Sequence, residues 1–514
     1  MTAGLLGLTT ASHAVFKAPY FDYHALAPEI VLTVVIMVVL VVDLIVDETH
    51  KPLVAQVAGV GILASAVPIF TLAAAGISGH ARVMFGGAYV VDVFSLVLKA
   101  LFLGIGYVIL LMSTNYIEEG DYYEGEFAFL ILCSLLGMLV MASSRDLISI
   151  FIALELLSIP GYLLAGWRKR DLKSNEASLK YYLLGVLATG VMLYGMSLIF
   201  GATGTTVLSG ISDKLALVSN HAQNLQPVIT IGIFFVVVGF AFKVSAVPFH
   251  FWAPDTYEGS PTPVTAFLSV ASKTGGFVAL MELVYVAFGA RHDVFQPLFW
   301  ILAAATMTVG NLIALRQTNI VRMLAYSSIA QAGYILVPFA VAGDIAPSQQ
   351  QDAVTASIVY LLLYAAMNLG AFAVVIAVAR KTRSGEISSY GGLFNYAPVL
   401  TLMMTAFLFS LAGIPPFGGW FAKFYIFRVV LDAGTPEAIV LGVVVAVNSV
   451  IALYYYANIA RHMWTGPVPD QDRTPIGVPT SLMAAIGICA AVVLALGVYP
   501  QAFARLGDLS RLAR

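Results

Sequence analysis

Charge is what this sequence has least of. Asp, Glu, Lys and Arg make up 11% of its 514 residues, where a soluble globular domain carries roughly 25%, and that shortage excludes an ordinary water-soluble enzyme. The 26 Lys and Arg against 28 Asp and Glu leave a net charge of -2 and no long block of one sign, so no basic field exists to hold nucleic acid. Cysteine is nearly missing too. Cys133 and Cys489 lie far apart inside apolar runs, which fits neither a disulfide framework nor a C-x-x-C motif, and no haem, iron-sulfur or zinc site is signalled. The alternating ten-residue pattern of an outer-membrane barrel is also lacking. The apolar stretch from Leu5 to Phe16 has no basic start and no clear small-residue cleavage site, so a cleaved signal peptide is not expected.

What is there in quantity is apolar sequence, 60% of the chain, gathered into runs of 17 to 28 residues. These give about fourteen spans, centred near residues 38, 64, 102, 135, 155, 190, 237, 275, 306, 331, 366, 414, 449 and 489. Each is long enough to cross about 30 Å of hydrocarbon at 1.5 Å per residue. Lipid cannot satisfy backbone N–H and C=O groups, so each span must pair its own, and the expected fold is all-α and polytopic. With fourteen spans both termini share a side. One set of connections carries Lys51, Arg168, Lys169, Arg170, Lys173, Arg316, Arg322, Arg380, Lys381, Arg383, Arg461 and Arg473; the positive-inside rule assigns that set to the cytoplasm and both termini to the other face. No connection is long enough to form a soluble domain.

Against this background a few charges stand out. An ionisable group at a helix centre costs roughly 2.5–3.5 kcal/mol on insertion scales, so each needs a partner, a wet cavity or a function. Glu155 lies nine residues after Asp146 and twelve before Trp167. Lys243 ends the run IGIFFVVVGFAF, Lys273 lies within VTAFLSVASKTGGFVAL, and Lys423 within LAGIPPFGGWFAKFYIFRVV. Burial disfavours the charged form of lysine and a nearby carboxylate restores it, which makes such a group a switchable proton site. A structural ion pair or a snorkelling side chain is the plainer reading of each. Lys180 opens its run beside a polar stretch, and from spacing alone snorkelling suits it as well as function. Lys99 and Glu282 lie nearer span ends, where a structural role is the better reading, and Glu282 is left out of the site. Lysine is a poor metal ligand and no His/Asp/Glu cluster accompanies these residues, so no metal is expected.

Two of the lysines lie beside helix breakers. Pro248 follows Lys243, and Pro415 and Pro416 precede Lys423; proline removes a backbone hydrogen bond and clashes with the preceding turn. Backbone freed at membrane depth is tolerated only where protein or water meets it, and paired interruptions in two halves point to a site built from repeats. His250 follows Lys243 by seven residues, roughly 10 Å along a helix. It suits a proton relay, and equally an interfacial histidine beside Phe249, Phe251 and Trp252.

The stretch FKVSAVPFHFWAPDTYEGSPTPVTAFLSVASK, residues 242–273, resembles the proton-conducting antiporter-like family of respiratory complex I and the multisubunit cation/proton antiporters. The form TYEGSPTP, the SK pair and the lysine at 423 separate it from the L and M members of that family, and the short tail after the last span adds to the distinction from L. The resemblance runs from about residue 28 to 500. It implies that Glu155 and Lys180 form a modulating pair acting on Lys243, that protons pass laterally through Lys273 with His250 as a relay, and that Lys423 exchanges with the far side. It also implies an N-terminal segment with three helices (1–115), two inverted five-helix repeats (127–290 and 296–463) with broken helices seven and twelve, and a last helix with a short tail (475–514). By the same resemblance the chain is a proton-translocating subunit of a bacterial inner-membrane NADH-quinone oxidoreductase next to subunits K and M, with FMN, iron-sulfur clusters and quinone held by other subunits. The alternative is a subunit of a secondary cation/proton antiporter; a quinone-binding catalytic subunit is a distant third, since no polar headgroup anchors are signalled.

Overall fold

The computed structural model describes residues 21–47, 51–75, 81–120, 124–221, 225–345 and 350–500. Within them the chain folds as a bundle of helices, twelve of which are long and apolar enough to cross a membrane. The spans expected near 135 and 414 appear as shorter helices, Glu124–Met141 and the pair Pro398–Ala412 and Gly418–Ala433. Between Pro52–Ala74 and Val93–Glu119 lies a small two-stranded ribbon, Arg82–Met84 against Tyr89–Val91, which the all-α expectation did not include. A further helix, Leu208–His221, fills the connection after Leu172–Thr203.

Short polar side chains fix where these helices begin. Asp92 and Ser95 form a reciprocal capping box at the start of Val93–Glu119, Asp146 accepts from the N–H groups of Ile148 and Ser149, and Asn319 does the same for Val321 and Arg322. Each satisfies donors that a helix N-terminus leaves orphaned.

Burial sorts the helices into a centre and a rim. Thr262–Ala287 is buried along its whole apolar window and Gln350–Thr382 along 94% of it, against 28% for Ala27–Ile45. The rim exposes Val34, Met37, Val41 and Leu44, an outward apolar face that only lipid or another subunit suits. At the centre, Gly310 and Gly333 allow His292–Ala314 and Ile320–Ile335 to approach so closely that an added Cβ would stand 2.7 Å and 2.6 Å from the facing backbone nitrogens.

Two helices are interrupted inside the bundle. Gln226–Lys243 stops at Lys243, and after an irregular stretch through the cis Val247–Pro248 bond the chain resumes as Trp252–Gly259. Pro398–Ala412 stops before Gly413, which has φ 88°, and after the cis Pro415–Pro416 bond the chain resumes as Gly418–Ala433. The freed backbone groups find side chains: Trp252 Nε1 donates to the Phe242 carbonyl at 3.0 Å, the Val247 N–H donates to Thr306 Oγ1 at 2.9 Å, and the Gly419 N–H donates to Ser410 Oγ at 3.0 Å. Protein therefore meets the backbone exposed by both breaks, as burial requires.

Candidate functional site

Lys243 is the last residue of its half-helix and is 3% exposed. Its Nζ donates to Ser158 Oγ at 2.8 Å and to the Tyr181 hydroxyl at 3.2 Å. Ser158 belongs to Leu147–Ala165, the helix of Glu155, and Tyr181 follows Lys180 on Leu172–Thr203. Three helices thus meet at one ammonium. Glu155 is half-buried, with Oε1 enclosed and without a hydrogen-bond partner.

Lys180 is placed differently from the expected pairing with Glu155. Its ammonium lies 2.7 Å from Glu176 and 2.7 Å from Asp255, and Arg322 joins Asp255 at 3.0 Å and Glu258 at 2.8 Å. The side chains of this network are 29 to 63% exposed, so it belongs to the wet end of the bundle. There each pair contributes on the order of 1 kcal/mol or less.

Lys273 is 2% exposed and sits on the central helix run. Its Nζ donates to Ser328 Oγ at 2.5 Å and lies 5.9 Å from the Tyr257 ring centre. Ser328 is on Ile320–Ile335, and other polar groups on and around that helix lie toward the second break. Ser327 and the Tyr456 hydroxyl are 2.5 Å apart, Gln331 Nε2 donates to the Leu411 carbonyl at 3.1 Å, and the Tyr360 hydroxyl donates to Gln331 Oε1 at 2.5 Å. Beyond them the Tyr334 ring centre lies 4.7 Å from Lys423 Nζ. Lys423, 6% exposed, donates to the Ala412 carbonyl at 2.8 Å. Its charge therefore occupies the negative end of the half-helix Pro398–Ala412, where a cation is favoured.

His250 is 4% exposed, and its Nδ1 has no hydrogen-bond partner. It lies in the irregular stretch at the first break, its ring centre 4.5 Å from that of Phe251 and tilted 32° to it. Among the described residues none of Lys243, Lys273 and Lys423 forms an ion pair; each is held by hydroxyl or carbonyl oxygens and faces an aromatic ring, that of Tyr181, Tyr257 and Tyr334 respectively. The three buried amines are thus alike in having neutral partners.

Sequence reasoning found the ionisable members and missed their neutral partners: Ser158, Tyr181, Ser328, Gln331 and Tyr334, together with Asp255. Lys99 and Glu282, left outside the expected site, are each engaged by charge. Lys99 lies 2.8 Å from Glu29, and Glu282 lies 2.5 Å from Arg145, which also reaches Asp92 at 3.1 Å. Among the described residues no group of three His, Cys, Asp or Glu side chains is placed to hold a metal ion.

Residues 144–449 match the family described as NADH:quinone oxidoreductase/Mrp antiporter, TM, a stretch that contains Glu155, Lys180, Lys243, His250, Lys273 and Lys423. The NADH-quinone oxidoreductase subunit N of Trichlorobacter lovleyi is 40% identical over 482 residues, which cover 93% of this chain and 95% of that one. The chain belongs to the subunit N family. Subunit N of Moorella thermoacetica is 38% identical, over 93% of this chain and 96% of its own, and the NAD(P)H-quinone oxidoreductase subunit 2 of Gloeothece citriformis is 40% identical, over 90% and 87%. A chain of respiratory complex I from Thermus thermophilus superposes with a TM-score of 0.75 at 30% identity, covering 93% of this chain and 98% of that one. The Mrp complex of a Dietzia species contains a chain with TM-score 0.82 at 21% identity, over 95% and 97%, a likeness of fold. The breaks and buried lysines described above are thus features of a subunit N chain with the antiporter-like fold.

Proposed function

We propose that this chain is the proton-translocating subunit N of an NADH-quinone oxidoreductase. Protons move through a line of buried groups: Glu155, Lys243, Lys273 and Lys423, with Lys180 modulating the first step and His250 as a relay. The observation that carries the reading is that the three central lysines are enclosed yet held by neutral oxygens, and that Lys273 and Lys423 meet one helix, Ile320–Ile335, at Ser328 and Tyr334. Relatives 38 to 40% identical over more than nine-tenths of the chain support the assignment to this enzyme complex.

No redox chemistry is assigned to this chain. FMN, iron-sulfur clusters and quinone belong to other subunits, and energy reaches this one through its membrane neighbours, K and M. The two breaks belong to inverted five-helix repeats, about 127–290 and 296–463. The membrane is the bacterial inner membrane, with the Lys180 and Arg322 end in the cytoplasm and the termini on the other side. Moving one charge against 100 mV requires about 2.3 kcal/mol. Withdrawing a carboxylate from a buried ammonium in a medium of effective dielectric constant near 20 changes its energy by about 4 kcal/mol at 4 Å, which is sufficient to drive such a step.

The test is proton pumping by the assembled complex in membrane vesicles carrying Lys243→Ala or Glu155→Ala. Both are expected to assemble and to pump less, and normal pumping in both would falsify the path. A secondary antiporter is the second reading, because the matching family includes Mrp subunits. Co-purification separates the two: peripheral NADH-oxidising subunits accompany this chain on the first reading and small antiporter subunits on the second.

A further inference from the structure

Five charged side chains lie buried at the end of the bundle opposite Lys180 and Arg322. Glu29 comes from Ala27–Ile45, Asp92 and Lys99 from the first turns of Val93–Glu119, Arg145 from the residues before Leu147–Ala165, and Glu282 from the central helix run. Glu282 and Lys99 are 0% exposed, Arg145 is 2%. The Lys99 ammonium also donates to the Tyr89 hydroxyl at 3.3 Å. The ribbon that carries Tyr89 closes over the group, since the Val90 N–H donates to the Ser143 carbonyl and the Arg145 N–H to the Ala88 carbonyl, each at 2.8 Å. Asp213 and Lys214, on the helix packed against the segment after Glu282, are exposed and outside the group.

Glu282 is shut off from water with one carboxyl oxygen unpartnered, and a carboxylate in such a place is what a protein avoids by binding a proton. Both Glu29 and Glu282 carry buried oxygens without a hydrogen-bond partner, and Glu282 is the deeper of the two, 0% against 7% exposed: its Oε1 accepts from Arg145, while its Oε2 has no partner. Arg145 Nε is likewise enclosed and unpartnered, leaving donor and acceptor capacity for water. Glu282 also shares its helix run with Lys273, nine residues or about 13 Å away along the axis. Lys273 directly follows one π-helical turn, Leu268–Ser272, and Glu282 directly precedes another, Leu283–Ala287; such turns loosen the backbone ladder and recur at functional sites.

We propose that this cluster is a proton-holding site centred on Glu282, which stores one proton beneath the ribbon and releases it to that face during turnover. The inference rests on the proton-translocation reading and extends it to residues outside the lysine line. In the step itself the O–H bond of the Glu282 carboxyl breaks and the proton passes to water, leaving the carboxylate paired with Arg145; no electron is exchanged.

The experiment is infrared difference spectroscopy of the purified complex during NADH turnover, with proton pumping measured in vesicles. Wild type is expected to show the C=O stretch of a protonated carboxyl changing on turnover. That band is expected to vanish in Glu282→Gln, which keeps the shape and the acceptor to Arg145, while the protons pumped per electron fall at least twofold. An unchanged band and unchanged pumping in Glu282→Gln overturn the proposal. If Glu282→Gln fails to assemble, Glu282→Asp is expected to shift the band, and an unshifted band is equally decisive against it. Lys273→Ala separates this from the broader reading: lost pumping there beside normal pumping in Glu282→Gln removes only the Glu282 site, whereas normal pumping in both removes the lysine line as well.

Discussion

Ser158 Oγ lies 2.8 Å from Lys243 Nζ and three residues beyond Glu155 on the same helix. Residues three apart share a helix face, so the serine hydroxyl stands where a proton or a change of charge at Glu155 would reach Lys243. The hydroxyl also donates to the Leu154 carbonyl at 2.5 Å, which leaves a lone pair aimed at the ammonium. Among the described residues Glu155 and Lys243 form no ion pair, and on the helix of Glu155 it is Ser158 that touches the ammonium.

Ser158→Ala removes that hydroxyl and leaves the ammonium one hydrogen bond, which it donates to the Tyr181 hydroxyl. A hydrogen bond to a charged group contributes about 1.5–3 kcal/mol. Pumping is expected to fall roughly tenfold or more at unchanged assembly, with Ser158→Thr retaining most of it. The check is the initial rate of vesicle acidification per NADH oxidised, and a wild-type rate in Ser158→Ala would exclude the serine from the path.

The Lys180 network yields a different expectation. Asp255 bridges Lys180 and Arg322, and because all three are half-exposed their coupling is small and screened by salt. A double-mutant cycle of Lys180→Ala and Asp255→Asn, read as assembled-complex stability, should give a coupling of about 1 kcal/mol or less that shrinks at high ionic strength. A coupling of several kcal/mol, insensitive to salt, would mean that the site is dry.

How much of this was legible depended on contrast. Glu155, Lys243, Lys273 and Lys423 are conspicuous because charge is rare in apolar runs, and Pro248, Pro415 and Pro416 because proline cannot sit quietly in a helix. Ser158, Ser328 and Gln331 carry no such contrast: serine and glutamine occur in many membrane helices, and their importance comes from partners 85, 55 and 80 residues away in sequence. Asp255 reads as an ordinary acid in a polar connection until the second half of the broken helix carries it to Lys180. Arg145 sits beside a helix start, where a charge looks solvated, and only folding brings it to Glu282 across 137 positions. The ribbon escaped because three-residue strands are too short to show alternation.

Arg145 holds two carboxylates together, so its removal should be costly. Breaking a buried pair from one side typically destabilises by about 3–5 kcal/mol, since the abandoned charge stays buried. Arg145→Met is therefore expected to lower the yield and melting temperature of the complex sharply, and Arg145→Met combined with Asp92→Asn, which removes the abandoned charge and keeps a helix-capping side chain, to recover part of the loss. Thermal denaturation of the purified complex reads both, and a double variant no more stable than the single one would show that charge is not what Arg145 supplies.

Gly413 tests the second break. Its φ of 88° is one that L side chains avoid, at a cost of roughly 1–2 kcal/mol, and an added Cβ would stand 2.8 Å from Lys423 Cδ and 3.5 Å from its Nζ. Gly413→Ala must therefore push the lysine away from the Ala412 carbonyl, whose 2.8 Å hydrogen bond fixes the ammonium at the end of the half-helix. The expected result is an assembled complex that oxidises NADH but pumps fewer protons per electron, because Lys423 is displaced from the Tyr334 face and from the polar groups on Ile320–Ile335. Lys423→Arg offers the matching control. Its guanidinium keeps the charge at all working pH and cannot cycle through a neutral state, so a position that matters only as a helix cap should tolerate arginine, and one that must release a proton should not. Pumping preserved in Lys423→Arg and lost in Gly413→Ala would reduce Lys423 to a structural cap; loss in both places it on the proton path.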